Sequence, residues 1–223
     1  MRALPLLMSL VGVILVSSAA PTGRSSSASA LWPLATTLGA HSGMAQVEVF
    51  SSSTVKKRPP VRILEREIFP GVAWRRFRLG GGEVFTADEG SRFARIAYVP
   101  AGAGATLVCA TGRRVSAEAI GDALRASATP PCGPREEQVT LFATLEGRPS
   151  AAAVRQALGR VGALQRGLVH GPKGLLALAE VPGRDPKVAI GGIVMNLAVQ
   201  ITYDSAHGAQ AVLATPTLPG SEP

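Results

Sequence analysis

Residues 188–203 read VAIGGIVMNLAVQITY, and their second half alternates strictly, with Met195, Leu197, Val199, Ile201 and Tyr203 on one side and Asn196, Ala198, Gln200 and Thr202 on the other. A period of two is the signature of a strand whose two faces meet different surroundings. The run of 16 residues with two internal glycines is shorter than the roughly 20 apolar residues that a membrane-spanning helix requires. Downstream, Asp204-Ser-Ala-His-Gly208 turns the chain into residues 209–215, so a terminal hairpin is expected, followed by a frayed tail over 216–223.

The same reading extends upstream. Residues 47–50, 61–68, 72–79, 83–87, 92–99, 105–110, 138–145, 168–170 and 175–181 carry β-branched, aromatic and charged residues in rough alternation, broken by Pro70-Gly71, Asp88-Glu-Gly90 and Pro100-Ala-Gly-Ala-Gly104. Two stretches change period. After Ser116, Ile120, Ala123 and Leu124 form a helical stripe that ends before Pro130-Pro131. After Ser150, Val154, Leu158, Val161 and Leu164 recur at three or four residues, with Arg155 and Arg160 outward. The expected fold is a single α+β domain over 47–215, with an antiparallel or mixed sheet of about seven to eight strands and two packed helices.

The first residues set the compartment. Arg2 precedes an uncharged apolar run, and residues 3–20, ALPLLMSLVGVILVSSAA, end in small residues, the pattern of a secretory signal peptide. The cut is expected near Ala19, with a processed region reaching as far as Ala45 as the alternative. Residues 21–46 read as a disordered linker or extended leader because they are acid-free and rich in Ser and Ala. In an oxidising compartment the even pair Cys109 and Cys132 is expected as a disulfide. Secretion into the periplasm or the medium follows, with no transmembrane span in the mature chain.

A 46% hydrophobic and 17% charged composition is that of a globular chain, and aromatics at 4% leave few stacking platforms. The formal charge of +8 admits an anionic partner. Dispersed basic residues interleaved with carboxylates argue against nucleic acid. The densest basic region is Lys56, Lys57 and Arg58, with Arg62, then Arg75, Arg76 and Arg78, where Trp74, Arg76 and Arg78 alternate with Arg75 and Phe77. These six, Lys56, Lys57, Arg58, Arg75, Arg76 and Arg78, are the candidate binding residues, for an anionic surface or a protein partner.

Catalytic signals are sparse. Ser53-Thr-Val-Lys56 matches S-x-x-K without its companion S-D-N and K-T-G elements. Asp204, Ser205 and His207 crowd into one turn, where three side chains cannot line up as a relay. His170 and His207 are the candidate general bases for the alternative reading, a secreted hydrolase. No metal-ligand spacing, nucleotide loop or cofactor motif occurs, so no cofactor or metal is expected. Residues 69–76, FPGVAWRR, with the strand and loop at 94–100, resemble the lead-in of secreted phosphodiester glycosidase domains. The Asn-Gly-Gly segment of such domains is absent, so the resemblance implies no activity here. The leading expectation is an exported, non-catalytic binding or envelope-associated protein.

Overall fold

The computed structural model describes residues 27–79, 81–184, 187–190, 192–204 and 208–216. In chain order the elements are a 3-10 turn (Ser27–Ala30), α1 (Leu31–Thr37), β1 (Ala40–Val55), α2 (Val61–Ile68), β2 (Arg75–Leu79), β3 (Gly82–Glu89), β4 (Arg92–Ala101), β5 (Gly104–Ser116), a second 3-10 turn (Ala117–Ala119), α3 (Ile120–Ala126), β6 (Arg135–Leu145), α4 (Ala151–Arg160), β7 (Leu164–Gly171), β8 (Gly174–Glu180), β9 (Val188–Ile190), β10 (Ile193–Met195), β11 (Leu197–Asp204) and β12 (Gly208–Thr215). The signal-peptide segment 3–20, Ser205, His207 and the tail from 217 lie outside the described residues.

The expected α+β fold with seven to eight strands and two helices is corrected. Among the described residues there are twelve strands and four α-helices; ten strands hydrogen-bond as one antiparallel sheet in the order β2-β3-β4-β5-β1-β6-β12-β11-β8-β7, and β9 pairs with β10. The chain is mostly β. Two misread segments account for much of the helix difference. Residues 61–68 form α2, because Val61, Leu64 and Ile68 recur at helical spacing behind Pro59-Pro60 and all three pack on the sheet. Residues 27–37, read as linker, form the first 3-10 turn and α1, whose Leu31, Leu34 and Ala35 are fully buried. Pro33 sits in the first turn of α1, where its missing N–H leaves no helical bond unmade.

Contacts divide the chain into two compact units, one of residues 46–138 and the other of the described parts of 23–45 and 139–223. In the unit of 46–138, β3, β4 and β5 pair in register, with Phe85 opposite Ile96 and Ile96 opposite Cys109. These three, with Leu107 and Cys132, make a buried cluster on which Val61, Leu64 and Ile68 of α2 rest together with Trp74. The Cys109–Cys132 disulfide is present, with Cα atoms 5.7 Å apart, and joins β5 to the segment after α3. Ser51 fastens the same segment to β1: its hydroxyl donates to Pro130 O (3.0 Å) and accepts from the Cys132 N–H (3.2 Å). Residues 51–55 continue β1 as strand beyond the expected 47–50. Arg135 closes the end of α3, its guanidinium donating to Ser127 O (2.6 Å) and Leu124 O (2.8 Å).

In the other unit, β6, β12, β11 and β8 align Leu141, Leu213, Val199 and Ala177 in one row, all buried. α1 lies against β12 and against α4, and α4 against β7 and β8. Ser150 caps α4 by accepting from the Ala153 N–H at 3.2 Å. The helix stops at Arg160 ahead of Gly162, whose φ of +71° ends the turn, so Leu164 of the expected stripe belongs to β7 instead.

One carboxylate gives this unit an acid-side signature. Glu180 Oε1 accepts from Lys187 Nζ at 2.6 Å and Oε2 from Arg166 Nε at 3.0 Å. These bonds, that of Lys187 foremost, hold its carboxyl below the usual carboxylate range. A lowered folded pKa contributes stability at pH values above the ordinary carboxylate range and loses it as pH falls through the folded value. Half-buried Glu136 has the opposite sign: desolvation raises it, so its contribution declines as pH rises. Glu180→Gln is expected to flatten the acid-side fall of unfolding free energy, read from urea midpoints across an acid pH series. An unchanged slope would contradict this.

Candidate anion-binding face

The basic residues expected to bind lie in the unit of 46–138, and the structure brings two of them, Arg58 and Arg76, to one carboxylate. Cross-strand register sets Arg76 opposite Phe85 and Arg78 opposite Glu83, and Glu83 opposite Tyr98. Arg58 Nη2 pairs with Glu83 Oε2 at 2.6 Å, and Arg76 pairs with Glu83 Oε1. Both guanidiniums also stand over the Phe85 ring, Arg58 at 5.8 Å and Arg76 at 5.9 Å from its centroid, and Arg58 lies 6.0 Å from that of Tyr98. Arginine favours this arrangement because its planar cation pairs and stacks at once.

Beside this cluster opens a cleft of ≈ 540 Å³ lined by Arg58, Pro59, Arg62, Glu65, Arg76 and Phe85. A second, of ≈ 290 Å³, lies along α2 between Arg62, Arg66, Phe69 and Trp74. Sequence reasoning missed Arg66 as a member of the face, because residues 61–68 were read as a strand. The indole N–H of Trp74 is buried and has no acceptor among the described residues. An unmatched buried donor costs about 1–3 kcal/mol, which an acceptor on a ligand would recover.

Between Lys56 and Glu83 the chain carries eight basic and three acidic side chains. Among the described residues Lys56, Lys57, Arg62, Arg66, Arg75 and Arg78 form no ion pair, and all six are exposed. Other arginines of this unit are matched: Arg95 to buried Glu48 at 2.5 Å, and Arg114 to both oxygens of Asp88 at 3.1 and 2.5 Å. The hydrogen bond to Asp88 raises the Arg114 pKa further. That bidentate pair also occupies the acidic turn at Asp88-Glu-Gly90. Ser53 and Lys56 of the S-x-x-K match stand at the end of a strand and just past it, not on a helix.

The candidate bases are not assembled into a site among the described residues. His170 is exposed on β7, where its ring edges that of Tyr203 at a centroid distance of 6.5 Å. The Tyr203 hydroxyl donates to Pro149 O at 2.7 Å. No described carboxylate or nucleophile bonds to His170, and His207 lies outside the described residues. Among the described residues no group of three or more His, Cys, Asp and Glu gathers as for a metal ion, and no helix is long and apolar enough to cross a membrane. No protein-family model matches the chain, and no curated protein sequence matches it.

Proposed function

We propose that this is an exported, non-catalytic binding protein of the envelope or its surroundings that engages an anionic partner through the face of residues 56–62, α2 and β2. The observation carrying the reading is the charge imbalance of that region, where six exposed cations make no ion pair among the described residues and two of them, Arg62 and Arg66, line clefts that share Arg62 and Glu65. The leader pattern of residues 3–20 and the buried disulfide support an oxidising compartment. The hydrolase alternative has no comparable support, since among the described residues His170 meets an aromatic ring and no carboxylate or nucleophile.

The test is titration with heparin and with polyglutamate at rising ionic strength. Binding is expected to weaken linearly in log salt, as counterion release requires. The quadruple variant Lys56→Ala, Lys57→Ala, Arg75→Ala, Arg78→Ala is expected to lower that salt slope by roughly three, with its thermal midpoint preserved because all four side chains are exposed. Absence of binding to either polyanion at low salt would remove the reading.

A further inference from the structure

Resting on that anionic-partner reading, we infer that the partner is an extended acidic segment of a protein, which adds as a further strand along the open edge of β2. β2 ends the hydrogen-bonded order of the sheet and, among the described residues, pairs only with β3. Its register closes at Leu79 opposite Gly82, a pair separated by only two residues. So close a pair must exchange both of its main-chain hydrogen bonds, and alternation then turns the main-chain groups of Arg75 and Phe77 toward β3. The N–H and C=O groups of Arg76 and Arg78 therefore face outward, a ladder that an incoming strand can complete.

Charge selects what comes in. Arg76 and Arg78 point to the face that carries α2, and Arg75 and Phe77 to the opposite face. All four side chains are exposed, with Phe77 at 42%. A second β2 laid antiparallel would set arginine against arginine, so the edge repels its own copy. A strand with acidic residues opposite Arg78, Arg76 and Arg75 and an apolar one opposite Phe77 meets a matching partner at every position. A glycan or a lipid headgroup supplies the charge but no amide ladder.

The probe is a capped synthetic peptide containing Glu-Val-Glu-Glu, prepared in three forms: unmodified, N-methylated on the alternate amides of one edge, and N-methylated on those of the other. All three carry the same charge, and the protein is unaltered throughout. One methylated form is expected to bind at least about tenfold more weakly, having lost the ladder on the side facing β2, while the other stays within about threefold of the parent. If both methylated forms match the parent, attraction is by charge alone and the added strand is overturned while the basic-face reading survives. Binding of heparin without binding of the peptide overturns the protein partner in favour of a glycan. If no anion binds, both readings fall together.

Discussion

Replacing Cys109 and Cys132 together by alanine is expected to destabilise the unit of 46–138 by at least about 3 kcal/mol, the share from the loop alone, which the bridge closes with a sequence separation of 23. The chain-entropy part acts on the unfolded state. A second part acts on the folded one: Cys109 is fully buried and Cys132 nearly so, and both belong to the cluster with Phe85, Ile96 and Leu107 on which α2 rests. Removing two sulfurs leaves space under Val61, Leu64 and Ile68, and neighbours in a packed core close only partly over such a loss. In a chain of this size the change corresponds to a fall in thermal midpoint of roughly 6–12 °C. Calorimetry of the oxidised protein, the double variant and the reductant-treated wild type separates the parts. The reduced wild type keeps the sulfur volume and should lie between the other two. The bridge itself is checked by a mass difference of two protons between non-reduced and reduced chains, and equal midpoints for all three samples would contradict the account.

Asn196→Ala is expected to cost about 3 kcal/mol, and Asn196→Asp more than that at neutral pH. This asparagine, the one in the chain, has no exposed surface. Its Oδ1 accepts from the Val181 N–H at 2.7 Å, and its Nδ2 donates to Val181 O and to Arg184 O, each at 3.0 Å. Alanine strands the Val181 N–H and the Arg184 carbonyl, and leaves the Val181 carbonyl only the Arg184 N–H at 3.3 Å. Aspartate keeps the acceptor but turns a carboxylate toward two carbonyl oxygens, so its folded pKa must rise. The sign is then the reverse of that at Glu180: the aspartate variant gains stability as pH falls and loses it as pH rises through the raised folded value. Urea denaturation of both variants at acidic and neutral pH checks this. Parallel pH curves for wild type and the aspartate variant would refute it.

What the sequence made legible follows from how local the deciding interactions are. The β11–β12 hairpin was readable because alternation and a turn lie within twenty residues of each other, and its register pairs Val199 with Leu213 and Ile201 with Ala211. The disulfide was readable because only two cysteines exist. α2 was not, since Val61-Arg-Ile-Leu-Glu-Arg-Glu-Ile68 satisfies both periods over eight residues, and what decides for helix is the apolar cluster supplied by β3, β4 and β5. α1 was hidden by composition: Ser and Ala around it suggested a linker, while Leu31, Leu34 and Leu38 hold helical spacing and are buried by distant strands. Of the basic face, the residues were evident and their meeting was not. Arg58 and Arg76 reach Glu83 from two segments whose approach depends on the β2–β3 register.

The packing of α1 against β12 has a consequence for how the polypeptide comes into being. Synthesis runs from the amino end, so Leu31 and Leu34 leave the ribosome early, whereas the strand they lie against, Gly208–Thr215, is among the last to be made. For the whole interval those leucines lack the strand they lie against, even once α4 has been made, and this unit cannot close until the carboxyl-terminal hairpin is free of the ribosome. A nascent chain arrested before Gly208 would leave uncovered the side of α1 that β12 closes over in the finished protein.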